Sequence, residues 1–392
     1  MSDAAEVFWI ALRLGLTSFG GPIAHIGYFE RAYVQQRRWM THEQYGGLVG
    51  LCQILPGPTS SQVGFAIGLH RAGWAGAFAA WLGFTLPSAV LLYVCAVLAT
   101  NLNGAGAHSV LHGLQLVAVA VVAQAVWNMA RNLCRDRTTA GIALIAACLL
   151  LTIRSPTAQL AVLAAGAVAG LVWCREIGLE SAHLAIAISS AAAWTALAMF
   201  ACLLVILPAL ALMFPHGVVA LADIFYRTGA LVFGGGHVVL PLLRDALVPT
   251  GWISDDRFLA GYGIAQAVPG PLFSFAAYVG ASTGNVRPPA WGACVALLSI
   301  FLPGMLVTIA GLAFWGRVLR HARLRAALSG INAAVVGILA AALYNPVWKT
   351  AVHGWIDIAI AIFGLLLLAR WRVAPIAVVV LTVTCSIAAG LA

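Results

Sequence analysis

Charge is what this sequence has least of: 8% of its 392 residues are Asp, Glu, Lys or Arg, against about 25% in a typical soluble domain. With 62% hydrophobic residues and a mean hydropathy of +0.97, a water-soluble fold is excluded. The start, Met1 to Glu6, carries acids instead of a basic n-region, and no small-residue cleavage site follows, which predicts that the chain inserts uncleaved. Eight cysteines show no C-x-x-C pairing and sit mostly inside apolar runs, where helix packing accounts for them. The histidines show no H-E-x-x-H or comparable spacing, so no metal site is expected. There is no G-x4-G-K-[ST] loop and no flavin or nucleotide fingerprint, so neither an ATP motor nor a cofactor is expected. The serines and histidines lack the spacing of a nucleophile and its base, which argues against an enzyme. Period-two alternation, the mark of a membrane barrel, is also missing.

What the sequence has is apolar runs. About 20 helical residues cross ~30 Å of hydrocarbon, and runs of that order recur: Trp74 to Thr100, Val110 to Ala130, Leu184 to Phe214, Ala290 to Trp315, Ala326 to Tyr344 and Val373 to Leu391. The predicted fold class is an all-α polytopic membrane protein. Its formal net charge of +9 does not point to nucleic acid, because the arginines lie in short loops between apolar runs, the footprint of the positive-inside rule.

Laid on itself, the chain repeats. At an offset of 214 (227 minus 13), Arg13-x-Gly15-x3-Phe19-Gly20-Gly21 falls on Arg227-x-Gly229-x3-Phe233-Gly234-Gly235. At 213 (252 minus 39), Trp39 meets Trp252, Gln53 meets Gln266, and Pro56-Gly57-Pro58 meets Pro269-Gly270-Pro271. Further along, Leu86-Pro87 meets Leu302-Pro303, and 113–128 matches 330–345 in its apolar pattern. Duplication is the simplest reading: a first repeat over 1–175, an extra span and linker over 176–217, and a second repeat over 218–392. The arginine-bearing loops alternate between equivalent positions. Arg131, Arg135 and Arg137 follow the fourth apolar element of the first half, whereas Arg317, Arg320, Arg323 and Arg325 follow the third of the second, and Arg370 and Arg372 its fifth. The second repeat is therefore expected to be inverted.

Each half opens with two apolar elements broken in the middle, at Gly20-Gly21-Pro22 or Gly234-Gly235-Gly236, then at the Pro-Gly-Pro triplets. Neither residue type continues a helix, and in lipid the freed backbone groups survive only where protein buries them or a polar cavity wets them. Thr59, Ser60 and Ser61 would form the first turn of a half-helix after Pro58, and Phe273 and Ser274 stand in the matching stretch. Orphan N–H groups, the positive end of a helix dipole and neutral hydroxyls suit a small oxyanion. Arms of about 14 residues, roughly 21 Å, fit either unwound crossings or re-entrant hairpins, and re-entry is favoured because it keeps Arg31, Arg37 and Arg38 cytoplasmic. About nine spans plus four hairpins, or about thirteen spans, both satisfy the pattern.

Arg13 and Arg227 stand within apolar segments, which makes them candidates for attracting a dianion through bidentate guanidinium contacts. Gln53 and Gln266 are weaker candidates, supported by their equivalence; Glu30, His25 and His237 are weaker still, since a lone polar residue on an apolar helix is commonly an interhelical hydrogen bond. Gly46-x3-Gly50, Gly64-x3-Gly68 and Gly280-x3-Gly284 are expected to allow close helix approach.

The segments SFGGPIAHIGYFE (Ser18 to Glu30), WMTHEQYGGLVGLCQILPGPTSSQ (Trp39 to Gln62) and GLHRAGWAGA (Gly68 to Ala77), with VFGGGHVVLPLL and GYGIAQAVPGPLFSFAAYVG in the second half, resemble the chromate ion transporter family over nearly the whole chain. The resemblance implies a long, two-domain secondary transporter of the cell inner membrane that exports chromate and confers resistance, with sulfate as a structural analogue. Uptake or exchange of sulfate or another tetrahedral oxyanion is the alternative. It places the family's motif positions on Phe19, Gly20, Gly21, Pro22, Pro56, Gly57, Pro58, Thr59 and Arg71, and on Phe233 to His237 and Pro269 to Pro271. One departure is internal: the first half has Gly-Gly-Pro where the second has Gly-Gly-Gly-His, so the half-sites are expected to differ. The partners implied are chromate and the bilayer, with a homo-oligomer left open.

Overall fold

The computed structural model describes residues 2–19, 21–99, 105–153, 158–174, 186, 188–233, 236–315, 321–371 and 373–391. Among them every regular element is helical. Five helical stretches are long and apolar enough to cross a membrane, namely Thr59–Leu98, Ser109–Leu133, Ser190–Met213, Pro289–Ala313 and Arg323–Ala351, with shorter apolar helices between them. This is the architecture of a multi-pass membrane protein.

The first part runs through α1 (Asp3–Thr17), α2 (Gly21–Phe29, continued by a π-helical turn Glu30–Gln36), α3 (His42–Ile54) and α4 (Thr59–Ala99). Non-helical backbone at Ala72 and Gly73 divides α4 into limbs 59–71 and 74–99. The second limb is about 39 Å long at 1.5 Å per residue, enough for one crossing. Arg71 donates to Asp3 at 3.2 Å and Glu6 at 3.4 Å, and its guanidinium lies 5.3 Å from the Trp39 ring centroid. The start of α1, the end of the α2 arm and the end of the first α4 limb therefore share one end of the molecule. Each broken element is a hairpin that returns to the end where it began.

Two further hairpins open the second part. α9 (Val218–Leu231) is followed by α10 (Val239–Leu247), and α11 (Asp255–Ala267) by α12 (Phe275–Ser282). Arg244, near the end of α10, donates to both carboxylate oxygens of Asp255 at 2.9 and 2.6 Å. The Tyr278 hydroxyl donates to the Arg257 carbonyl at 3.3 Å, so α12 returns along α11.

The remaining helices are α5 (Ala105–Leu133), α6 (Arg137–Thr152), α7 (Ala158–Trp173), α8 (Ser190–Met213), α13 (Pro289–Ala313), α14 (Ala322–Ala342), α15 (Trp355–Ala369) and α16 (Pro375–Leu391). Their packing is reciprocal: α6 and α7 lie against α14, whereas α15 and α16 lie against α5, and α5 crosses α14. Each part's last two helices thus clasp the other part. α8 packs outside α9 and α13, and only 6% of its apolar window is buried by protein, which leaves it facing lipid.

Small residues decide where backbones meet. A Cβ on Gly68 would lie 2.3 Å from the Gly76 carbonyl, and one on Gly280 2.3 Å from that of Gly292. Gly64 sits against Phe29, whereas Gly46, Gly50 and Gly284 have no neighbour within 4 Å. The close approach expected of the three small-residue motifs therefore occurs at Gly68 and Gly280, and Gly46-x3-Gly50 serves no helix contact.

Candidate functional site

The four breaks meet, and they meet crosswise. The Gly57 N–H donates to the Val232 carbonyl at 2.7 Å, and the Gly270 N–H donates to the Ser18 carbonyl at 3.0 Å. The second break of each part is thus pinned to the first break of the other. Pro56 and Pro58, like Pro269 and Pro271, have no N–H, so the central glycine carries the only backbone donor of each triplet. Both glycines adopt positive φ, +119° at Gly57 and +105° at Gly270, a region that side chains rarely enter. Space is closed to a side chain as well: a Cβ on Gly57 would lie 2.8 Å from Gly304 Cα, and one on Gly270 2.9 Å from Ser88 Oγ. Gln62 seals the first triplet by donating to the carbonyls of Pro56 at 2.7 Å and Gly304 at 3.1 Å.

Beside the Ser18–Gly270 link lies a cavity of about 70 Å³. Ser18, Gly21 and His25 line it from the first hairpin, and Gln266, Val268, Gly270 and Leu272 from the last; His237, α5 through Val121 and Gln124, and the segment around Leu368 and Pro375 complete it. Ser18 and His25 are buried, and three buried polar atoms here make no hydrogen bond within 3.5 Å, namely Ser18 Oγ, His25 Nε2 and Gln266 Nε2, although the Ser18 carbonyl stands near the His25 ring and the Tyr262 hydroxyl near the Gln266 amide. All three are atoms that can donate. His25 Nδ1 lies 3.3 Å from Ser60 Oγ, which leaves Nε2 as the free edge. His237 Nδ1 pairs with the Tyr262 hydroxyl at 2.8 Å, and its Nε2 lies 3.9 Å from where a Gly21 Cβ would stand.

Of the residues singled out from sequence, Ser18, Gly21, His25, His237, Gln266 and Gly270 come together at this cavity. Phe19, Pro22, Pro56, Pro58, Phe233, Pro269 and Pro271 shape the breaks without lining it. Thr59, Ser60 and Ser61 do begin a helix, and all three are buried; Ser60 reaches the cavity only through His25. Ser274 bonds the Ser88 hydroxyl at 2.7 Å, and Gly236 backs onto Leu272. Gly20, Gly234 and Gly235 lie outside the described residues. Gln53 is exposed, unlike its equivalent Gln266.

Neither candidate arginine lines the cavity. Arg13 is exposed. Arg227 donates through Nε to Asp223 at 2.8 Å and through Nη2 to the second carboxylate oxygen. It opens on a different cavity, of about 720 Å³, with Gln159, His216 and Asp245. Asp223 is buried and the Arg227 side chain is half-exposed. Arg227→Gln is therefore expected to lower the melting temperature more than the double change Asp223→Asn/Arg227→Gln, because only the single change strands a buried carboxylate; thermal unfolding in detergent reads the difference.

Gln62, Ser88, Gln124 and Tyr262 were not singled out from sequence. Gln62 and Gln124 carried the same signal as Gln53, a lone amide in an apolar run; Ser88 and Tyr262 carried none until the fold placed them.

The family model described as chromate transporter matches residues 5–171 and 219–390. The chain belongs to the chromate transporter family. It is accordingly a member of a transporter family and not an enzyme. A chromate transport protein of Pseudomonas aeruginosa is 28% identical over 395 residues, covering 99% of this chain and 91% of its own length. One of Cupriavidus metallidurans is 26% identical over 372 residues, covering 91% and 85%. An uncharacterized transporter of Bacillus subtilis, YwrA, is 30% identical over 156 residues, 38% of this chain but 82% of its own length. No solved structure matches the chain. In this chromate transporter family member each matched segment contains one set of hairpins and the helices that follow it, and the unmatched stretch between them contains α8.

Proposed function

We propose that this protein is a secondary transporter that moves chromate outward across the inner membrane, holding the dianion in the cavity between the crossed breaks. The observation that carries the reading is the set of three unpartnered donors, Ser18 Oγ, His25 Nε2 and Gln266 Nε2, around one cavity. Neutral donors and backbone breaks bind an oxyanion without cancelling its charge with a fixed cation. A site of this kind leaves the membrane potential acting on both charges of the substrate, about 2.3 kcal/mol per charge per 100 mV. The names of the relatives from Pseudomonas aeruginosa and Cupriavidus metallidurans supply chromate as the substrate.

Two inverted repeats support alternating access about this site. Gly68 with Gly76 and Gly280 with Gly292 are similar close contacts, and the second pair is four residues further apart (12 against 8), so the offset rises across this turn from 212 (280 minus 68) to 216 (292 minus 76). The half-length match to YwrA is what one repeat standing alone would give. With the hairpins re-entrant, the second α4 limb, α5 to α8 and α13 to α16 make nine crossings. Arg71, Arg131, Arg137, Arg323 and Arg370 then fall on one side, the cytoplasmic one.

Uptake of labelled chromate into inverted vesicles tests the reading. Accumulation is expected when the lumen is made positive. Accumulation of sulfate with chromate excluded, or uptake indifferent to potential, would overturn it.

A further inference from the structure

A second polar cluster lies at the opposite end of α5 from Arg131, about 18 Å along the helix from Gln124. His112 on α5, His353 before α15 and Asp357 in the first turn of α15 bring one ligand atom each within 4.8 Å of one another. His112 precedes His353 by 241 residues (353 minus 112), so the spacing of His353 and Asp357 alone did not announce the cluster. Asp357 is held in place: one carboxylate oxygen, Oδ2, accepts from the backbone N–H groups of His353 at 2.8 Å and Gly354 at 3.1 Å. That leaves Oδ1 facing His112 Nε2 at 3.5 Å.

The Ser386 hydroxyl donates to the Ser109 carbonyl at 3.1 Å, since a carbonyl only accepts, and its Oγ lies 3.4 Å from His112 Nδ1. By the same rule His112 Nε2 donates to the Ala351 carbonyl at 3.0 Å, with Asp357 Oδ1 at 3.5 Å. A divalent cation bound here would take the place of that proton beside the carboxylate. A ring nitrogen fixed by a hydroxyl on its far side and a carboxylate oriented by backbone N–H groups are the supports that metal ligands commonly have.

We propose that His112, His353 and Asp357 form a binding site for a divalent cation of the zinc class. Two imidazoles and one carboxylate suit that ion, with a fourth position left to water or to the Ala351 carbonyl. Ligand distances of about 2.0–2.2 Å draw the three atoms to about 3.4 Å from one another, and the exposed His353 ring can rotate to meet the ion. The site joins α5 of the first part to the 351–357 segment of the second.

Full-length protein purified without a histidine tag, titrated with Zn²⁺ by calorimetry and with Co²⁺ by visible absorption, tests the site. One equivalent of Zn²⁺ is expected, with a tetrahedral Co²⁺ spectrum that Zn²⁺ displaces. His353→Ala, which alters an exposed side chain, is expected to weaken binding at least tenfold, and His112→Ala/His353→Ala to abolish it. Wild-type protein that binds no Zn²⁺, or variants that bind it as tightly as wild type, would overturn the proposal and leave His112 and Asp357 as an ion pair.

Discussion

Gln266→Leu is expected to weaken chromate binding by about 10- to 100-fold, and Gln53→Leu to leave it within about threefold. The two glutamines occupy equivalent places just before the Pro-Gly-Pro break of their respective parts, yet only Gln266 lines the cavity and buries an amide nitrogen without a hydrogen-bond partner. A hydrogen bond to a charged partner contributes about 1.5–3 kcal/mol, and each 1.4 kcal/mol is tenfold in affinity. Leu keeps the apolar bulk and removes the donor, so the loss falls on the anion and not on packing. Ser18→Ala should behave like Gln266→Leu, because its hydroxyl is buried and equally unpartnered. Equilibrium binding of labelled chromate to purified protein decides the matter; equal losses in the two glutamine variants would place the substrate elsewhere.

The second large effect is expected at the central glycines of the two triplets. Gly57→Ala places a Cβ 2.8 Å from Gly304 Cα and 2.9 Å from Gln62 Nε2, at a φ of +119°. Holding a side chain in such a backbone region costs about 1–3 kcal/mol before any clash is counted. Relief by rotating the peptide would turn the Gly57 N–H away from Val232, freeing a backbone carbonyl at membrane depth, where unpaired groups cost several kcal/mol. Transport by Gly57→Ala is expected to fall more than tenfold, with a lower melting temperature. Gly270→Ala should follow it, since its Cβ meets Ser88 Oγ at 2.9 Å at a φ of +105°. Gly46→Ala is the control: that helical glycine has nothing within 4 Å, and its transport should match wild type. Vesicle uptake normalised to protein content measures all three.

The breaks were legible in the sequence because proline and glycine act locally: whatever surrounds them, Pro56-Gly57-Pro58 offers one N–H and permits positive φ. The direction of the chain after each break was not, since unwound crossings and hairpins use the same residues. It took Arg71, reaching Asp3, Glu6 and Trp39 at once, to distinguish them. The crosswise pairing of breaks was equally hidden, because a backbone carbonyl such as that of Val232 or Ser18 carries no residue-type signal. The two arginines that stand out by charge lie away from this cavity. Arg227 stands four residues after Asp223, one helical turn, and the pair largely satisfies itself. The residues that gather at the cavity are mostly neutral, and Gln124 is distinguished from Gln53 only by which face of its helix the fold turns inward.

The most direct test of the account is the position of the bound ion. A structure of the protein with chromate, located by the anomalous signal of chromium, should place the peak within hydrogen-bonding distance of Ser18, His25 and Gln266, beside the Gly270–Ser18 link. A peak beside Arg13 or in the cavity bordered by Arg227 and Asp245, with the crossed breaks left unvisited, would contradict it.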